Sequence, residues 1–426
     1  MKVLMLSWEY PPKNVGGLAQ HVYHLSKALA KHGVEVHVIT VGGNDAIPYE
    51  DREGVKVHRI SPYSLSSPDF RTWILHLNFS LLEYGVTLVN SLKNVDVLHA
   101  HDWLVAHAGR ALKHSFQLPL VATIHATEYG RNNGLHNDNQ RYISDVEWWL
   151  TYEAWRVIVC SSYMERELGG FFQLPEDKIT VIPNGVNAED FSTGLGPKRI
   201  KHSPPNGEKY IFFIGRLVRE KGVQVLLDAA PKILGRFPEA RFIVAGTGPY
   251  EEHLRARTRE RGLEHRVYFA GYVNDQIRNR LFQQSKVAVF PSLYEPFGIV
   301  ALEAMAAGTP VVVSDTGGLR EIVEHGVDGL KCYVGSPDSL ADNIMAVLGD
   351  PGLAERIKEN GYEKAKNKYS WFAVAGKTLH IYEEVIRESG RADWHTDTWM
   401  ASDPISAVYA KIKNLGRTGV FGQQVH

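Results

Sequence analysis

Two cysteines, Cys160 and Cys332, are all that the 426 residues contain. That count excludes a disulfide framework and a thiolate zinc cluster, and it fits a reducing cytoplasm. Met1-Lys2 runs straight into an apolar Val-Leu-Met-Leu segment without a signal-peptide pattern, and no apolar run approaches the length of a membrane span. A cytoplasmic protein with no integral membrane segment is therefore expected. The formal net charge is −1, so bulk attraction to nucleic acid or to an anionic membrane is absent. Also missing are G-x-G-x-x-G, G-x-x-x-x-G-K-[ST], H-E-x-x-H and any Asp-x-Asp pair. A diphosphate bound here must be neutralised by side-chain cations and backbone N–H dipoles, and no metal or other cofactor is expected.

What is present is ample core and a repeated α/β theme. Hydrophobic residues make up 44% and charged residues 22%, and a chain of this length predicts two domains of about 200 residues each. Apolar runs at 3–6, 36–41, 55–60, 95–100, 119–124 and 156–160 read as strands. The segment 18–31 reads as a helix, with Leu18, Val22, Leu25 and Leu29 on one stripe. The stretch 194–209, with two adjacent prolines and no periodicity, reads as a linker. The theme then restarts with strands at 210–214, 241–245, 266–269, 286–290 and 311–313 and a helix at 222–234, which Pro231 should kink or split. Strands alternating with helices imply parallel, doubly wound sheets, and two such halves create a cleft where ligands bind. In 142–155, Trp148, Tyr152 and Trp155 fall at i, i+4 and i+7, the spacing of a core stripe, with Trp149 off it.

The most informative stretch is 291–314, PSLYEPFGIVALEAMAAGTPVVVS. It reads as the end of one buried strand, a short helix over Phe297–Ala307 with Pro296 in its first turn and Gly308 as its stop, and a second strand. Glu295 lies at the mouth of that helix. Glu303 lies two turns on, roughly 12 Å away at 1.5 Å per residue. The two carboxylates of a glycoside hydrolase stand about 5–9.5 Å apart, so acceptors gripping different parts of one long ligand fit better. A surface glutamate plus a charge favoured by the helix dipole is the alternative. Three loops suit anions: Gly16-Gly17, the Thr316-Gly317-Gly318-Leu319 turn, and GRLVREKG (215–222) with Arg216 and Lys221. Each alone is more often a tight turn or a solvated cation. All three fall after strands, at the ends where doubly wound sheets hold ligands. His125 closes the apolar run 120–124, at a strand's carboxyl edge, where a histidine can be structural or functional.

Taken together, EPFGIVALE (295–303), GRLVREKG (215–222), VIPNGVN (181–187), TGGL (316–319) and the Gly16-Gly17 turn resemble the family-four retaining glycosyltransferases. The resemblance runs from residue 1 to about 388. It implies an α/β fold of the GT-B type, two Rossmann-like domains facing each other across a deep interdomain cleft. The domains would be 1–195 on the acceptor side and 209–370 on the nucleotide-sugar side. Residues 196–208 would link them, and a C-terminal helix over 371–390 would cross back onto the N-terminal domain. The tail 391–426 is left without a role.

By the same resemblance Glu303 would bond the donor's ribose and Glu295 the hydroxyls of the donor sugar. Arg216 and Lys221 would hold the diphosphate, helped by N–H groups around Gly318 and Leu319. Gly16, Gly17, Phe297, Gly298 and Ile299 would complete the donor site. His125 would reach the sugar beside the reacting carbon, and Asp102 would lie toward the acceptor. WEYPPKNVGGLAQHV (8–22) and HAHDWL (99–104) are most similar to the glycogen and starch synthase branch, which implies ADP-glucose or UDP-glucose as donor and an α-1,4-glucan as acceptor. One departure stands out: that branch typically reads Lys-x-Gly-Gly, whereas Lys13 precedes Gly16 by three residues. Small sugars, sugar phosphates and lipid-linked glycans are alternative acceptors. A nucleotide-sugar-binding protein without turnover and a sugar-nucleotide epimerase are the readings from other classes.

Overall fold

The computed structural model describes residues 1–13, 16–42, 47–192 and 209–392. The valine- and isoleucine-rich runs form strands because β-branched side chains suit a pleated surface, and strands covered on both faces need no polar alternation. The first sheet contains β1 (Lys2–Leu6), β2 (Glu35–Val41), β3 (Tyr49–Arg52), β4 (Val55–Ile60), β5 (Val97–His101), β6 (Leu120–Ile124), β7 (Arg156–Val159) and β8 (Ile179–Val181). Its order is β3-β4-β2-β1-β5-β6-β7-β8, parallel except where β3 meets β4. The second contains β9 (Lys209–Ile214), β10 (Ala240–Ala245), β11 (Val267–Gly271), β12 (Val287–Phe290), β13 (Val311–Ser314) and β14 (Leu330–Cys332), in the parallel order β11-β10-β9-β12-β13-β14. Three strands escaped the sequence reading: β3, β8 and β14. β8 and β14 are only three residues long, and β3, Tyr-Glu-Asp-Arg, is polar, so none registers as an apolar run.

Two other expectations are corrected. Pro231 does not split its helix, which runs unbroken from Val223 to Arg236. Leu226, Leu227, Ala230 and Ile233 on that helix are fully buried, and their packing outweighs a proline cost of about 3 kcal/mol. The tryptophan segment is not a core stripe. The helix Asp138–Glu153 buries Ile143, Val146, Glu147 and Leu150 instead, leaving Trp148 and Tyr152 exposed at 44% and 63% and stacked on each other. Two stripes of helical spacing coexist there, and periodicity alone cannot rank them. Both the linker 196–208 and the tail beyond residue 392 lie outside the described residues.

Residues Met1–Val385 form one compact unit holding both sheets. Within it, the helix Trp371–Ser389 packs on the first half: Trp371 stacks on His24, and the Tyr382 hydroxyl lies 2.6 Å from His99 Nδ1. In the second unit, Ile386–His426, the Gly390 N–H closes the end of that helix on the Ile386 carbonyl at 3.1 Å. Among the described residues no helix is long and apolar enough to cross a membrane.

Inside the first unit, Tyr294, Ser161 and Glu321 are among the side chains that join the two sheet-bearing halves. Tyr294, from the loop after β12, places its buried hydroxyl 3.1 Å from Glu167 and 3.5 Å from the Thr127 N–H. Its ring fills the space where a Cβ on Gly130 would lie, 2.4 Å away. Ser161 donates to the Pro296 carbonyl at 2.6 Å. Glu321 accepts the Ser162 and Tyr163 N–H groups at 3.0 and 2.8 Å, capping the helix Ser162–Phe172 from the other half. We predict that Tyr294→Ala costs about 3–5 kcal/mol in urea unfolding through the cavity it leaves. Tyr294→Phe, which loses only hydroxyl bonds, should cost about 1 kcal/mol. Equal costs for the two variants would show that the ring does not seat the interface.

Candidate functional site

Strand order reverses between β1 and β5 in the first sheet and between β9 and β12 in the second. In open α/β sheets ligands bind beyond the carboxyl ends of the strands at such switch points. The loops leaving those four strands carry Gly16-Gly17, Asp102, Arg216 with Lys221, and Glu295. The loops after β6 and β13 add His125 and Gly318. The candidate residues therefore share the six neighbouring strand ends that form the two crevices.

The loops of the second half are bound together at backbone distance. Gly222 has φ +73°, and a Cβ there would lie 1.8 Å from the Pro291 carbonyl oxygen. Gly317 has φ +48° and would meet the Glu295 carbonyl at 1.9 Å. Only glycine permits either approach. Leu293 N–H bonds the Glu220 carbonyl at 2.7 Å. This closeness brings Lys221 Nζ to 2.8 and 2.7 Å from the two oxygens of the buried Glu295 carboxylate, which Ser292 also bonds at 3.0 Å. Arg216 is exposed and has no ion-pair partner among the described residues. It faces the first half: a Cβ on Gly16 would lie 3.9 Å from its Cδ, and one on Gly17 would lie 3.7 Å from Ile299.

Several details differ from the sequence reading. The short helix is Ile299–Ala306, not Phe297–Ala307, because Gly298 at φ +109° interrupts the helical backbone. Pro296 thus lies outside it, and Phe297 is buried. The Gly318 N–H is already donated to the Glu295 carbonyl at 2.9 Å, so in this conformation it is not offered to a phosphate; Leu319 packs on Gly298. The Gly16 N–H is likewise given to the Glu9 carboxylate at 3.1 Å. Lys13 sits between the rings of Trp8 and Trp73, 5.0 and 5.6 Å from their centres. Glu303 is buried and lies 3.2 Å from Arg278; burial pushes its carboxyl up despite that guanidinium. Glu303 lines a small pocket together with His24, Arg278, Ile299 and Trp371.

In the first half desolvation dominates. His125 follows β6, and burial, reinforced by Arg131, pushes its imidazole down to about 3, so it is neutral at pH 7. Its N–H donates to Asp102 Oδ1 at 2.7 Å. Asp102 is 5% exposed, and burial pushes its carboxyl up to about 6 against Arg131 and that N–H. Its backbone adopts φ 62°, ψ 172°, a conformation that costs a non-glycine residue about 1–3 kcal/mol. Glu147, whose two oxygens both accept the Glu128 N–H at 3.0 Å, is pushed by burial to about 8. The sequence reading missed Glu147, Tyr294 and Glu321. Tyr294 directly precedes Glu295 and could have been flagged by position. Glu321 carries no local signal, since the N–H groups it caps are 159 and 158 residues away.

The Asp102 shift has a definite sign. A carboxyl raised from 3.8 to about 6 on folding favours the folded state below pH 3.8, and this contribution disappears as pH rises through 6. Keeping the charge at neutral pH then costs roughly 3 kcal/mol. Asp102→Asn should therefore raise the melting temperature relative to wild type more at pH 8 than at pH 4.5. A gain independent of pH would show that the charge is not the cause.

Comparison with known proteins identifies the family. A model of the family described as Glycosyltransferase Family 4 matches residues 15–190, and one described as Glycosyl transferases group 1 matches 197–364. An uncharacterized glycosyltransferase of Methanocaldococcus jannaschii is 42% identical over 397 residues, covering 92% of this chain and all of that protein. A glycogen synthase of Mycobacterium tuberculosis is 36% identical over 396 residues, covering 90% and 94%. The solved sucrose-phosphate synthase of Thermosynechococcus elongatus superposes with a TM-score of 0.80 at 24% identity, covering 91% of this chain and 100% of that one, which shows a common GT-B fold. With two relatives so similar over nine tenths of its length, the chain belongs to the family 4 and group 1 glycosyltransferases.

Proposed function

We propose that this glycosyltransferase is a retaining, metal-independent glucosyltransferase. It moves a glucosyl group from ADP-glucose or UDP-glucose to the non-reducing end of an α-1,4-glucan. The observation that carries the reading is the exposed Arg216, which has no ion-pair partner among the described residues and lies against the Gly16-Gly17 turn, in the same loop as Lys221. The 36% identity to a glycogen synthase supports the choice of glucan.

In this mechanism the bond between the sugar's anomeric carbon and the diphosphate oxygen breaks while the acceptor oxygen bonds the same carbon from the same face. The acceptor's proton passes to the departing diphosphate. Negative charge builds on the leaving group, and preorganised cations serve it best in the transition state. Arg216 is suited to bidentate phosphate contact and Lys221 to a point charge. Because Lys221 is already paired, Arg216 contributes the larger share of net positive charge. Glu303 holds the ribose. Glu295, kept in place by Lys221 and Ser292, takes hydroxyls of the donor sugar, with Phe297, Gly298 and Ile299 shaping the wall. His125, neutral through burial, meets the sugar as a hydrogen-bonding imidazole beside the reacting carbon. Asp102 anchors the His125 backbone on the acceptor side.

Assay of ADP-, UDP- and GDP-glucose against glycogen, glucose and glucose phosphates tests the reading. Chain elongation is expected. A disaccharide or glycosyl phosphate product would move the proposal to a smaller acceptor, and an epimer or no product would end it. Arg216→Ala should lower kcat about 10²–10³-fold, the loss known for one such donor, with the melting temperature unchanged. Lys221→Ala should lower both activity and melting temperature, since it strands the buried Glu295 charge. Chelation with EDTA should leave turnover intact; reversible loss would refute metal independence. Glu303→Ala should weaken nucleotide binding by about 1.5–3 kcal/mol. Unchanged affinity in calorimetry would remove Glu303 from the ribose.

A further inference from the structure

Three histidines converge at the carboxyl end of the first sheet. His21 is on the helix Gly17–Lys31, His101 ends β5, and His125 follows β6. One ring nitrogen from each lies within 4.8 Å of the other two. His21 and His101 are 3% and 0% exposed. The His21 Nε2 has no hydrogen-bond partner among the described residues, although buried polar atoms are nearly always partnered. The tautomer of His21 is set: its Nδ1 lies 2.5 Å from the Asn184 side-chain amide oxygen Oδ1, which only accepts, so Nδ1 carries the proton and Nε2 presents a lone pair. A ring N–H anchored on a carbonyl, with the other nitrogen free, is the outer-shell arrangement of metal-bound histidine.

From this geometry we infer that His21, His101 and His125 form a binding site for a divalent transition-metal ion of the zinc class. Imidazole nitrogens select Zn²⁺, Co²⁺, Ni²⁺ and Cu²⁺ over Mg²⁺ and Ca²⁺, which require oxygen ligands. Two ligands on a tetrahedral ion at 2.0–2.1 Å stand about 3.4 Å apart, and His101 Nδ1 lies 3.4 Å from His125 Nε2. Closing the third ligand requires a shift of about 1.4 Å at most, which rotation of histidine rings about their broad χ2 supplies. His101 ligates through Nδ1 and keeps its hydrogen on Nε2. Three protein ligands leave the fourth position of a tetrahedral ion for water or substrate.

The consequence is inhibition rather than assistance. An ion here occupies the His125 lone pair that the donor sugar would otherwise meet. Metal and intact nucleotide sugar then compete, while the free nucleotide does not. This last step rests on the proposed placement of His125 against the sugar.

The test is titration of the full chain with Co²⁺, read by its visible ligand-field bands, and with Zn²⁺, read by calorimetry. One ion per chain with the spectrum of a tetrahedral nitrogen site is expected, with Mg²⁺ failing to displace it. His21→Gln and His101→Gln should each abolish the spectrum, and Asn184→Ala should weaken binding about 10–100-fold as an outer-shell loss, with folding checked by circular dichroism. No bands in wild type, or the same binding in His21→Gln and His101→Gln, would overturn the site. ADP-glucose or UDP-glucose should then raise the apparent Zn²⁺ dissociation constant, whereas ADP or UDP should not. If the ion binds through the three histidines but the sugar nucleotide leaves it undisturbed, the metal site stands and the placement of His125 fails.

Discussion

Backbone contact between loops at the second sheet's switch point is the constraint on which the site depends. Gly222 against Pro291 and Gly317 against Glu295 allow two neighbouring loops to touch the one after β12 with no side chain between them. That contact puts Lys221 within hydrogen-bond distance of both oxygens of a buried glutamate. A buried carboxylate without a cation would be costly, and a lone cation in that loop would adopt many rotamers. The pair fixes both, and it leaves Arg216 as the cation exposed to the cleft. The same loop continues into Tyr294 and Pro296, which hold the first half. A rigid element thus serves charge placement and the register of the two halves together.

The first half works through desolvation. Burial raises Asp102 and Glu147 and lowers His21, His101 and His125, so the charged form of each group is disfavoured there. Asp102 carries both an electrostatic and a conformational cost in binding the His125 N–H. Residues held against their own preference are common at functional sites, and here the strained residue anchors the loop that faces the second half. Stability has been given up where the geometry of the crevice requires it.

Much of the fold was legible from residue order. Eleven strands announced themselves as short apolar runs, and their alternation with helices required parallel sheets. Glycines at strand ends marked the crevice, because a missing Cβ signals either left-handed backbone or close approach. Reading failed where the deciding contact was remote or where two patterns competed. Trp148 and Tyr152 had core spacing, yet the opposite stripe of the same helix was buried. Gly318 looked like an anion donor, yet its N–H was already taken by Glu295.

The sequence by itself determined the class of architecture, the switch-point loops and the residue types at them, since periodicity, strand length and glycine placement are local properties. Tertiary structure alone decided which groups are partnered. That Lys221 neutralises Glu295, that Glu321 caps a helix 159 residues away, and that three histidines from separate elements meet are outcomes of chain crossing. Burial, and with it every shifted proton affinity, follows from the same crossings. Charge and hydrogen bonding act over a few ångströms in space, and no local pattern encodes which distant residues come that close.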